Sequence, residues 1–146
     1  MDPITATFQT AAPILRVADL SASLDYYARV LGFSVDWRAD TGIASVSRDR
    51  CTVMLCQGDQ GHAGAWVWVG VADAAALLEE LQPRGALVRH PLTDYPWGLE
   101  LQVADLDGNV LRLASEPRVG MTTGEWLDMH GVRWAQDSFG SWQRVD

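Results

Sequence analysis

The side chains of this 146-residue chain that could do chemistry are three histidines, nineteen carboxylates, two cysteines and seven tryptophans, and their spacing decides which chemistry is open to them. A metal centre needs three or four histidine or carboxylate donors brought together. His62 falls in the polar, glycine-rich stretch Gln57–Gly64, His90 in or just after a strand-forming run, and His130 near the C-terminal end, so solvated or structural roles suit all three. Cys51 and Cys56 lie five apart on one apparent strand and therefore point to opposite faces, which argues against a disulfide between them and for reduced thiols. The tryptophans are the unusual feature. Each is a large, rigid stacking surface with one N–H donor, so their number implies either a large core or an aromatic binding groove.

Several of these side chains sit where the two readings can be weighed. Trp66 and Trp68 share one face of the run Ala65-Trp66-Val67-Trp68-Val69; if that face lines a cleft both meet a ligand, and if it packs on helices both are core. Trp97 stands between Pro96 and Gly98, either projecting into a groove or covering a sheet edge. Asp36 and Trp37 alternate in direction, so at most one of them faces a groove in an ideal strand; Asp36 either attracts a ligand amine or is a solubilising carboxylate. Ile43 opens the alternating run that continues through Ser45 and Ser47, Tyr95 could offer a hydroxyl, and Arg112 could pair with Glu100 on an adjacent strand.

The elements that position these residues are announced twice. Residues 12–57 read strand, amphipathic helix, then three short strands, and residues 64–115 repeat that order. In the first pass, Leu24, Tyr27, Ala28 and Leu31 recur at helical spacing behind a cap at Asp19 or Ser21, and Gly32 supplies the left-handed residue that ends the helix. Phe33, Val35 and Trp37 then alternate as a strand, with Asp40-Thr41-Gly42 and Asp49-Arg50 as turns. In the second pass, Ala74, Leu77, Leu78 and Leu81 form a helix closed by Pro83 and Gly85, and Asp105-Leu106-Asp107-Gly108-Asn109 joins Leu99–Val103 to Val110–Leu113. The expected fold is α+β, a single domain of two βαβββ modules forming a curved sheet around a cleft. Residues 118–146 form an extension, in which Thr122-x-x-Glu125 predicts a short helix to about Met129, and Val132–Trp134 with Ser141–Val145 predict a terminal hairpin.

Composition narrows the partners. A formal charge of −8 disfavours nucleic acid, permits a cationic ligand and suits solubility. No apolar run approaches the length of about 20 residues that spans a bilayer, and Met1–Thr10 has no basic region of a signal peptide, so a cytoplasmic protein without a membrane partner is expected.

Ile14-Leu15-Arg16-Val17-Ala18-Asp19-Leu20, Ser23-Leu24-x-Tyr26-Tyr27 and Leu31-Gly32-Phe33 resemble the first module of the glyoxalase/bleomycin-resistance/extradiol-dioxygenase superfamily, whose fold is called vicinal oxygen chelate. Asp105-Leu106-Asp107-Gly108-Asn109 resembles its second-module turn, and the similarity runs over roughly residues 12–116. Ala65–Val69, Pro96-Trp97-Gly98 and Leu31-Gly32-Phe33-Ser34-x-Asp36-Trp37 are similar to segments of the bleomycin-resistance branch, and Ala12-Pro13-Ile14-Leu15 resembles the N-terminal strand that branch exchanges between the subunits of a dimer. The resemblance puts the metal-ligand positions of catalytic members at Ala12, Met54, Trp66 and Arg112, none of which is a hard-metal ligand. It thus implies a homodimer without metal or cofactor that binds and sequesters a planar, cationic small molecule of the bleomycin type, through Trp97, Trp66, Trp68, Trp37, Asp36, Ile43, Arg112 and Tyr95. On this reading Trp97 is a ligand-stacking ring whose loss leaves stability nearly intact, while Trp66 closes the former metal position as a packed interior residue. The alternative is a lyase, isomerase or dioxygenase of the same superfamily that uses another metal site, built from His62 or His90 with Glu100. The tryptophan-bearing extension departs from the bleomycin-binding pattern and could cap one end of the groove, extend a dimer interface or cover a sheet edge.

Overall fold

The computed structural model describes residues 2–95, 97–117, 126–127 and 130–145. Asp19 caps the first helix as its composition predicts, its carboxylate accepting the Ala22 amide at 3.1 Å. That helix, α1, runs over Leu20–Asp25 and widens into a π turn over Tyr26–Val30, where Leu31 N–H reaches back to the Tyr26 carbonyl at 3.2 Å. It connects β1 (Ile14–Arg16) to β2 (Ser34–Arg38), β3 (Ile43–Arg48) and β4 (Cys51–Cys56), which form one sheet in the order β1-β4-β3-β2. The second module repeats the arrangement. β5 (Trp66–Gly70) leads through α2 (Ala74–Leu81), capped by Asp73, into β6 (Leu87–Tyr95), β7 (Gly98–Ala104) and β8 (Val110–Ser115), in the order β5-β8-β7-β6. In both sheets the first strand pairs parallel with the last, and every other pair is antiparallel.

Alternation divides each sheet into a core face and an open face. Leu15, Ala44, Val46, Val53 and Leu55 from the first sheet and Leu99, Leu101, Val103, Leu111 and Leu113 from the second join Leu20, Leu24, Tyr27 and Leu81 of the helices in one apolar core. Each such buried leucine or valine contributes on the order of 1.5–3 kcal/mol. The modules are also pinned by polar contacts. Tyr27, fully buried, donates its hydroxyl to Asp105 at 2.9 Å, and Tyr26 donates to the Ala104 carbonyl at 2.8 Å. Buried Asn109 accepts the Ala65 amide at 3.0 Å and donates to the Arg16 carbonyl at 3.1 Å, so the turn after β7 ties the first strand of each module together.

The extension differs from its expectation in one element. Trp126–Leu127 form a strand, β9, not a helix; Thr122–Glu125 lie outside the described residues. A capping box offers a helix its first turn, but pairing with β10 (Arg133–Gln136) satisfies the backbone of Trp126 and Leu127 instead. The terminal hairpin is present, β10 pairing antiparallel with β11 (Trp142–Val145). Residues 2–11 form no helix or strand and are exposed, with Ile4 and Phe8 almost entirely uncovered.

Candidate functional site

The open face of the second sheet gathers most of the predicted site. Registers across β5, β8 and β7 set Trp68 beside Arg112 and Gln102, and Trp66 beside Val110 and Ala104, all opposite to the core-facing leucines. Beneath the rings, Glu100 is only 3% exposed. Its carboxylate accepts Arg112 Nη2 at 3.0 Å and Nε at 3.2 Å, and the Trp97 indole N–H at 2.9 Å. These charge-assisted bonds offset the desolvation of a buried carboxylate. The Arg112 side chain keeps 35% of its surface in solvent, so the pair is buried on one side and wet on the other.

The three tryptophans of this face are not equivalent. Trp97 lies parallel to the buried Tyr95 ring, with centroids 4.8 Å apart, and Trp142 of β11 meets it edge-on at 6.4 Å. The chain passes from Trp97 into β7 through Gly98, where a Cβ would stand 2.5 Å from the Ser115 carbonyl oxygen, so only glycine fits. Trp66 is 48% exposed and carries the Arg89 guanidinium 4.7 Å from its ring centroid, a cation–π contact. Trp68, 60% exposed, lays its ring edge along Gly70, where a Cβ would come within 3.2 Å of the indole. Trp68 is therefore the most open stacking platform.

Two sequence expectations change here. Trp66 is a half-exposed wall of the face and not a packed interior residue, because β5 is an edge strand and, among the described residues, no helix lies over the open face. Trp97 is tied into Tyr95, Trp142 and Glu100, so it is built into the fold as well as the face. Trp142 meeting Trp97 also gives the extension a defined place, over one end of this face.

Asp36, Trp37 and Ile43 lie on the other sheet. A bulge between Val35 and Trp37 breaks the alternation, so Trp37 pairs with Ser45 while Asp36 also turns its carboxylate to that side, accepting Ser45 Oγ at 2.9 Å and Ser47 Oγ at 2.6 Å. Ser47 continues the chain of hydroxyls to Thr52 at 2.7 Å. Met54 pairs with Ser45 and shares this polar open face, and Ile43 is half-buried two residues along it. The candidates thus divide into an aromatic, arginine-bearing wall with Trp66, Trp68, Trp97, Tyr95 and Arg112, and a hydroxyl and carboxylate wall with Asp36, Trp37 and Ile43.

Sequence reasoning passed over Arg89 and Gln102. Arg89 Nη1 donates to Gln102 Oε1, and Arg89 reaches the open face by alternating from Val88, which pairs with core-facing Val103. The register then shifts between Val88 and His90, so that His90 pairs with Gln102; Pro91, which cannot donate to a ladder and so favours an edge strand or bulge, stands next to that shift. The remaining donors do not form a metal set. Ala12 has no donor, Met54 a thioether, Trp66 an indole, and Arg112 a fixed cation held by Glu100, while His90 Nδ1 lies 3.1 Å from the Pro91 carbonyl and His62 sits in an exposed loop. Among the described residues no three of His, Cys, Asp and Glu converge.

A cleft of about 920 Å³ lies elsewhere, on the helix side between β4, β5 and α2. Val53, Val67, Leu77 and Leu111 line it, and the Arg48–Glu80 ion pair, 2.8 Å, stands on its wall. Its apolar lining is core surface, and the aromatic wall reaches it only at Trp68. Aromatic surface and paired charges occur together on the open face.

Comparison with known proteins agrees with this architecture. The family model of the glyoxalase/bleomycin resistance protein/dioxygenase superfamily matches residues 7–113. Among solved structures, the bleomycin-binding protein of bleomycin-producing Streptomyces verticillus, crystallised with copper(II)-bleomycin, is 25% identical with a TM-score of 0.65, covering 76% of this chain and 98% of its own. TnmS3, an antibiotic-binding protein from a Streptomyces species, is 22% identical with a TM-score of 0.67, covering 78% of this chain and 100% of its own. TioX from a Micromonospora species is 24% identical with a TM-score of 0.63, covering 74% of this chain and 99% of its own. No curated protein sequence matches the chain. Among the described residues no helix is long and apolar enough to cross a membrane.

Proposed function

The chain belongs to the glyoxalase/bleomycin resistance protein/dioxygenase superfamily, and from that premise we propose that it binds a planar small molecule of the antibiotic type and holds it without chemical change, protecting the cell by sequestration. The observation that carries this reading is the Arg112–Glu100 ion pair beneath an aromatic wall. Arg112 and Trp66 stand at two of the positions that the superfamily resemblance assigns to metal ligands. A guanidinium there repels a dication, and Glu100, the carboxylate that pairs with it, already has both oxygens engaged by Arg112 and Trp97. What remains is surface for stacking, above all Trp68. The similarity to a bleomycin-binding protein supports a ligand of this class.

The same reading makes the protein a cytoplasmic homodimer. Trp37, Trp66 and Trp68 on the open faces and the apolar Ile4 and Phe8 of the N-terminal segment are exposed in one copy, a pattern that a second copy would relieve. β1 pairs with its own chain's β4, so the part available for exchange is residues 2–11. At long range the charge of −8 favours a cationic ligand; within a Debye length of about 8 Å the charges of the face itself take over.

Titrating metal-free bleomycin and other planar antibiotics against tryptophan fluorescence tests the proposal. Saturable quenching at micromolar ligand, with the ligand recovered unaltered by mass, is the expected result; a chemically altered ligand or no quenching by any of them opposes it.

A further inference from the structure

The charges on the tryptophan wall point to a more specific ligand. We infer that this face selects a planar aromatic acid, an aromatic ring system bearing a carboxylate, sulfonate or phenolate, and that Arg89 receives the anionic group; the inference rests on the planar-ligand reading above.

Among the described residues, two arginines, Arg89 and Arg112, and one carboxylate, Glu100, are the charged groups that the contacts place on the face, a balance of one positive charge. Glu100 is committed to Arg112 through both of its oxygens. Arg89 is exposed, and among the described residues no carboxylate pairs with it. The carboxylate nearest on its own strand, Asp94, pairs in register with core-facing Leu99 and so points to the opposite side of the sheet from Thr93 and Glu100. His90, its neighbour, turns Nδ1 to the Pro91 carbonyl. The uncompensated charge on the wall is therefore that of Arg89.

Arg89 is also held in place. One guanidinium nitrogen donates to Gln102, which is 2% exposed, and the plane rests over the Trp66 ring. A guanidinium fixed by a buried amide and an indole loses little freedom when it binds, and four of its five N–H donors remain for an acceptor. Trp66 then acts as the seat of the cation, while Trp68, two residues along the same strand face and roughly 7 Å away, offers its ring to the ligand. A ring system on Trp68 with an acidic substituent at its edge meets both groups at once. A cationic ligand of the same shape would gain the Trp68 stack but face Arg89 with like charge.

A matched pair of probes tests this: pyrene carboxylate and pyrene methylammonium, titrated calorimetrically into the native protein and into the Arg89→Gln and Arg89→Lys variants. The carboxylate is expected to bind the native protein at least about tenfold tighter than the ammonium compound, with a preference that weakens as salt rises. Arg89→Gln should abolish the preference and Arg89→Lys retain part of it. Equal affinities, tighter binding of the cation, or a preference that survives Arg89→Gln would overturn the role of Arg89 while leaving the planar-ligand reading intact. Failure of both probes to bind the native protein would overturn the two together.

Discussion

At the scale of residues, the buried carboxylate of Glu100 and the half-wet guanidinium of Arg112 form an asymmetric pair, and removing each partner should have a different effect. Arg112→Ala strands a carboxylate that is 3% exposed, which should cost about 3–5 kcal/mol. Glu100→Gln leaves an arginine that can turn to water, and should cost about 1 kcal/mol. Urea unfolding of the two variants measures the difference, and equal losses would contradict the asymmetry of the pair. Trp97→Ala should destabilise the fold by about 2 kcal/mol through loss of the Tyr95 stack, the Trp142 contact and the bond to Glu100, visible as a lower unfolding midpoint. A period of two was enough to put Trp66 and Trp68 on one face, and the Arg112–Glu100 pair was legible as an opposite-charge couple on adjacent strands. Alternation from Val88 puts Arg89 on the same face, but its contacts with Gln102 and Trp66 come from other strands and were not legible in its own segment. The bulge at Asp36 hid its turn towards Ser45.

At the scale of elements, the repeated strand–helix–strand order was readable because both helices carry an aspartate cap and a helical apolar period, and because the Asp105–Asn109 turn has few alternatives to a tight hairpin. The strand at Trp126–Leu127 was not, since its partner in β10 is a non-local choice that local capping residues cannot reveal. Tyr27 illustrates how an element's buried face sets pH dependence. Burial, reinforced by the Asp105 carboxylate, pushes its hydroxyl well above the ordinary value of 10.0. A group whose folded pKa is raised contributes stability that is complete below its unfolded pKa and is lost as pH climbs through the folded one. The protein should therefore keep its stability through neutral pH and weaken beyond pH 10, the unfolded tyrosine value. Tyr27→Phe should cost about 1.5 kcal/mol at neutral pH and flatten that alkaline decline, which thermal unfolding at stepped pH would record. An unchanged decline would place its origin in another group.

At the scale of the whole molecule, two helix-backed sheets share one core and turn their polar and aromatic faces outward, so a single copy leaves Trp37, Trp66 and Trp68 exposed. Light scattering at micromolar concentration should give twice the 16.0 kDa chain mass, and Phe8→Asp should shift the mass towards one chain. A parent protein measuring as a single chain would contradict the dimer. The account's central claim is that the open aromatic face holds an unaltered planar ligand by stacking on Trp68. Calorimetric titration of a quenching antibiotic into the native protein and into Trp68→Ala tests it most directly. Trp68 is 60% exposed, so its removal should leave the fold standing and weaken binding by about 1–3 kcal/mol, roughly 5- to 150-fold. Full-affinity binding by a folded Trp68→Ala protein would contradict the claim.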